Sequence, residues 1–146
     1  MMSRSELIGK IEGLLGGRAA EEVVFGEIST GASNDLEKAT KIARDMITVY
    51  GMSEHAPNIS LVERSEGRFL GQGPFIQRHS EKIEQTIDDE VVSIMRTCYG
   101  ESKKLISHYR EKLEMMAKTL LEKEHIDEKD IYTILGPRPA TRSAEQ

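Results

Sequence analysis

Apolar positions recur with a helical beat over most of the chain. Leu7, Ile8, Ile11, Leu14 and Leu15 fall on one helix face behind Ser3 and Glu6, whose three-residue separation suits a capping box. Gly16 and Gly17 interrupt the face, yet Ala19, Val23 and Val24 continue it, so the pattern predicts one helix from about Ser3 to Phe25 or Gly26. The two glycines are then expected to permit close packing rather than to end the helix. The small, glycine-containing stretch 28–33 suits a loop. Asn34 is the expected N-cap of a second helix, with Glu37 three residues on. Leu36, Ala39, Ile42, Ala43, Met46, Ile47 and Tyr50 form its apolar stripe, and Gly51 is its left-handed stop.

Periodicity fails over 52–79, where glycines and prolines break the chain repeatedly. The pattern leaves room there for a short hairpin, 59–63 against 68–70, with 65–67 as its turn. Ser80 and Glu81 open a third helix with the stripe Ile83, Ile87, Val91, Ile94, Met95, Cys98, Leu105 and Ile106. Near 107–110 the stripe changes phase, and Leu113, Met116, Ala117, Leu120 and Leu121 begin a fourth helix packed on the third. Asp127 with Asp130 caps a last short helix through Ile131, Ile134 and Leu135, which Gly136 and Pro137 stop. The expected fold is therefore mainly α, about five helices around one irregular loop region. It forms one domain over 1–136, followed by a loose tail over 137–146.

Composition narrows the function. With 146 residues the chain suits a single core, and a net charge of -5 provides no basic field for phosphates, which argues against nucleic acid as partner. One cysteine, Cys98, on an apolar stripe, reads as a buried thiol in a reducing compartment, so a cytoplasmic location is expected. No apolar run approaches the roughly 20 residues that cross a bilayer, and the first ten residues do not read as a signal peptide.

Chemistry is hard to find by spacing alone. Zinc peptidases place two histidines one helical turn apart so that both imidazoles reach one metal, and no pair among His55, His79, His108 and His125 has that spacing. There is no GxxxxGK[ST] loop for ATP, and the 71–73 Gly-Gln-Gly is too short for a dinucleotide fingerprint. Nothing near Cys98 would activate it as a nucleophile. Met46, Met95, Met115 and Met116 read as core filler. The charged run 122–128 reads as a solvated helix end.

Two motifs go further. Residues 14–26 read Leu-Leu-Gly-Gly-Arg-Ala-Ala-Glu-Glu-Val-Val-Phe-Gly, and 29–35 read Ser-Thr-Gly-Ala-Ser-Asn-Asp. Together, in this order, they resemble the LLGGRAAEE and TGA-x-ND segments of the FtsH family of ATP-dependent zinc metalloproteases. The 50–53 Tyr-Gly-Met-Ser, the 69–71 Phe-Leu-Gly corner, the Ser80-Glu81 helix start and Ile126-Asp127 are similar too, so the resemblance covers about 2–136.

The resemblance implies the C-terminal part of a helical peptidase domain that forms a six-membered ring beneath an AAA+ ATPase ring. That assembly would be membrane-anchored and degrade unfolded, membrane and cytosolic proteins. In the family an HExxH helix supplies two zinc ligands and the general base, and the aspartate of TGA-x-ND supplies the third ligand. Asp35 is the matching residue, and its other reading is an ordinary helix-capping acid. Glu21 and Glu22 are candidates for orienting a metal-binding histidine, or for a salt-bridged pair with Arg18 on a helix flank. Gly16, Gly17, Arg18, Thr30, Gly31 and Asn34 complete the matched motifs. The HExxH helix, the ATPase domain and the transmembrane segments precede this stretch in the family. The expectation is therefore a chain that alone binds negligible zinc, uses no ATP and hydrolyses nothing, because one ligand does not make a catalytic site. The alternative is a non-catalytic helical interaction module that joins a full-length ring of the family.

Overall fold

The structure, a computed structural model, describes residues 1–64, 75–77 and 80–138. Among them are five α-helices: α1 (Arg4–Phe25), α2 (Ser33–Thr48), α3 (Glu81–His108), α4 (Arg110–Lys123) and α5 (Glu128–Leu135). A 3-10 turn, Thr30–Ala32, runs directly into α2. The strands β1 (Val62–Arg64) and β2 (Phe75–Gln77) pair antiparallel, with Glu63 opposite Ile76. The strand expected at 68–70, its turn at 65–67 and the 69–71 corner lie outside the described residues, as do His79 and the tail from 139; the pair observed is 62–64 with 75–77.

The first helix begins as its capping box requires: the Ser3 hydroxyl accepts from the Glu6 N–H and the Glu6 carboxylate accepts from the Ser3 N–H at 2.6 Å. It runs unbroken through Gly16 and Gly17 and ends at Gly26, whose φ of 73° is the left-handed stop. The glycines do not serve close packing among the described residues, since a Cβ on either would meet nothing within 4 Å. Each costs helix stability of up to about 1 kcal/mol, which the packing of the opposite face offsets.

The core is the meeting of α1, α2 and α3. Ile11, Leu15, Met46, Ile47, Ile87 and Cys98 are its fully buried larger side chains, with Ala39 and Ala43 letting α2 approach closely. Ser102 closes the α1–α3 seam by donating to the Glu12 carbonyl at 2.9 Å. At the end of α2, Gly51 at φ 64° turns the chain so that the Met52 N–H reaches back to the Met46 carbonyl. Tyr50, expected in the stripe, is exposed instead, because this turn has already begun to carry the chain away.

The sequence expectation holds for the α3–α4 break at Tyr109 and for the Asp127–Asp130 capping box of α5, but not for the packing of α4. No residue of α4 is buried, and Met115, Leu120 and Leu121 are exposed, Leu121 to 84%. Leu105, on the last turns of α3, is exposed as well. Thus Met46 is core filler and Met115 is not: α3 runs past the end of the three-helix core, and α4 touches α3 and α5 without burying a residue. No helix among the described residues is long and apolar enough to cross a membrane.

Candidate functional site

The loop between α1 and α2 is built by side chains. The Glu21 carboxylate, near the end of α1, accepts the Ser29 N–H at 3.1 Å and the Ser29 hydroxyl at 2.8 Å. The Ser29 hydroxyl in turn accepts the Gly31 N–H at 3.2 Å, and the Ser33 N–H donates to the Thr30 carbonyl. Small residues are needed here, as a Cβ on Gly31 would lie 3.3 Å from the Ser29 Oγ. These two Ser29 bonds, backbone first, hold the Glu21 carboxyl below the ordinary carboxylate value.

Because the 3-10 turn feeds the helix, α2 starts at Ser33 with Ala32 at the N-cap and no side-chain cap. Asn34 therefore lies inside the first turn and is not the N-cap expected of it: the capping hydroxyl is that of Ser29, one turn earlier. Asp35 also lies in the first turn, half-buried, and has no hydrogen-bond or ion-pair partner among the described residues. The capping-acid reading of Asp35 thus finds no capping bond here. The arrangement offers a carboxylate with no bond to its oxygens among the described residues, on an ordered turn. Leu36, the next residue, lines an apolar groove of about 450 Å3 with Val91, Val92 and Met95, and Arg18 and Arg96 border the same groove.

Glu22 turns to α3, where it accepts from the Tyr99 hydroxyl and from Lys103 Nζ at 3.1 Å. It makes no salt bridge with Arg18, so the flank pair expected from spacing is replaced by a link between helices. The Tyr99 bond, then Lys103, lowers the Glu22 carboxyl, while burial and then Glu22 push the Tyr99 phenol up to about 12.

A second polar cluster was not singled out by the sequence. The buried Glu90 accepts from the Ser53 hydroxyl, from the Glu54 N–H at 2.7 Å and pairs with His55 Nδ1 at 3.2 Å. Ser53 Oγ also accepts the N–H groups of His55 and Ala56, so the loop after α2 is tied to α3. Burial pushes the Glu90 carboxyl up, but the bonds from Ser53, His55 and the Glu54 backbone outweigh it and leave it lowered. The legible sign was a glutamate at helical spacing from Ile87 and Ile94, on the buried face. The serine donates to the carboxylate, not to the histidine, so this is no nucleophile arrangement.

His55 is bound up with Glu90, His108 stacks edge-on with Tyr109, and among the described residues no three His, Cys, Asp or Glu side chains gather to hold a metal. Asp35 thus stands as a single carboxylate outside any such group among the described residues. Cys98 is buried, and that burial, followed by Glu12, raises its thiol to about 11, which rules out a reactive thiolate at neutral pH.

Comparison with known proteins places these features. A family model described as Peptidase family M41 matches residues 1–134. The chain is 43% identical over 137 residues, 93% of its length, to a Thermotoga maritima protein named ATP-dependent zinc metalloprotease FtsH, of which it spans 22%. A Bacillus subtilis protein of the same name is 44% identical over 135 residues, 91% of this chain and 21% of that protein. The chain thus spans about a fifth of the length of the curated relatives it matches.

Proposed function

The chain belongs to peptidase family M41, and from that premise we propose that it is the C-terminal part of the peptidase domain of an ATP-dependent zinc metalloendopeptidase, in which Asp35 is the third zinc ligand. The observation that carries this reading is the state of Asp35: a half-buried carboxylate with no partner among the described residues, on a braced turn, and next in sequence to Leu36, which lines an apolar groove. A zinc site needs two further ligands, which an HExxH helix docked along that groove supplies. Zinc held there contributes a Lewis acid and an activated water for peptide hydrolysis. The chain's own residues hold the carboxylate and offer the docking surface. ATP use, the six-membered ring, a position on the cytoplasmic face of a membrane and unfolded or membrane proteins as substrates belong to the complete enzyme, whose relatives carry the name quoted above.

By itself this stretch then hydrolyses nothing. Incubated with zinc and casein, the purified 146-residue chain leaves the casein intact, whereas the same chain joined to an HExxH helix of the family's pattern cleaves it. Cleavage by the chain alone, lost on chelation, would overturn the division of ligands.

The exposed apolar side chains of α4 and α5, among them Leu121, Ile131 and Leu135, favour a second reading, an interaction module that seats on a ring of full-length relatives. Co-elution with such a relative on size exclusion supports it, and separate elution removes it.

A further inference from the structure

The geometry points to Glu21 as a positioning residue for Asp35, acting through Ser29 rather than by touching a metal or its histidines. This deepens the reading of Asp35 as a zinc ligand and rests on it. Both oxygens of the Glu21 carboxylate are occupied, one by the Ser29 N–H and the other by the Ser29 hydroxyl, at 3.1 and 2.8 Å. Ser29 spends its remaining acceptor capacity on the Gly31 N–H, at 3.2 Å. From Gly31 the chain passes through one residue of 3-10 turn into α2, and Asp35 stands on the third residue of that helix. The start of α2 has no side-chain cap of its own, so the Glu21–Ser29 clamp is a side-chain anchor, among the described residues, that ties this turn to α1.

The arrangement also explains why the Asp35 carboxylate can stay bare. A helix N-terminus left open would draw the nearest acid into a capping bond. Here Ser29 meets the Gly31 N–H and the Thr30 carbonyl meets the Ser33 N–H, while Asp35 makes no capping bond among the described residues.

Amide hydrogen exchange on the 146-residue chain, which needs no metal and no activity, tests the clamp. Glu21→Ala and Ser29→Ala should each speed exchange at Ser29, Gly31 and the first turn of α2 about tenfold or more, with the core amides of Ala43, Ile47 and Ile87 unmoved. Ser29→Thr keeps both donors and should hold the native rates. Unchanged rates over 29–35 in both alanine variants would overturn the inference. So would rates that rise equally in the core, the mark of a general loss of stability. The metal role of Asp35 is read separately, from zinc retained by the ligand-complete domain with Asp35→Asn. A working clamp with zinc retained sinks the ligand reading, and zinc lost without a working clamp sinks only the role given to Glu21.

Discussion

At the scale of single residues the fold depends on a few polar groups placed where apolar ones are the rule. Glu90 sits on the buried face of α3 because three donors from the loop after α2 converge on it. Replacing it with alanine strands the buried Ser53 hydroxyl and should cost about 1–3 kcal/mol in urea unfolding. Its folded pKa lies below the ordinary 4.5, so its contribution is complete above that value and disappears as pH falls through the lower folded value. Glu90→Gln should therefore flatten the acid limb of the stability curve below pH 4.5, and an unaltered limb would show that the carboxylate is not the group responsible. Gly51 is a second such point. With φ at 64° and an added Cβ 3.1 Å from the Asn58 Cα, Gly51→Ala should destabilise by at least about 1–2 kcal/mol, measured by thermal unfolding. The two residues differ in how far the sequence disclosed them. Gly51 follows an apolar stripe and was readable as a stop. Glu90 was not, because a periodic reading counts apolar positions and passes over a charge whose partners lie 36 and 37 residues earlier. Asp35 is singled out only by its motif, since nothing in its spacing sets it apart from a capping acid.

Among elements, three helices make the core and two extend from it. Ile11 on α1 is fully buried, so Ile11→Ala should cost about 2–5 kcal/mol. Leu121 on α4 is 84% exposed, and Leu121→Gln should move stability by no more than about 0.5 kcal/mol. Equal losses in the two variants would contradict the division into core and annex. Both residues sit on apolar stripes in the sequence. Periodicity told which face of α4 is apolar but not whether anything covers it, because cover is a tertiary fact. The α1–α3 seam carries a pH signature of its own. Tyr99 has its phenol raised to about 12 against an ordinary 10.0, so its contribution is full below pH 10.0 and is lost as pH rises through about 12. Tyr99→Phe should remove that alkaline loss, as followed by circular dichroism.

For the molecule as a whole, exposed apolar side chains on α4 and α5 and the apolar groove lined by Leu36, Val91, Val92 and Met95 describe a body with surfaces left to cover. Sedimentation velocity on the isolated chain should show association that grows with concentration, and a lone monomer at all concentrations would contradict it. The claim on which the rest depends is that Asp35 completes a metal site whose other ligands come from an HExxH helix. Zinc retained after dialysis by the chain joined to such a helix measures this most directly. About one zinc per chain with Asp35, and a loss of most of it with Asp35→Asn, is the predicted result. Zinc retained equally well by both would contradict the account.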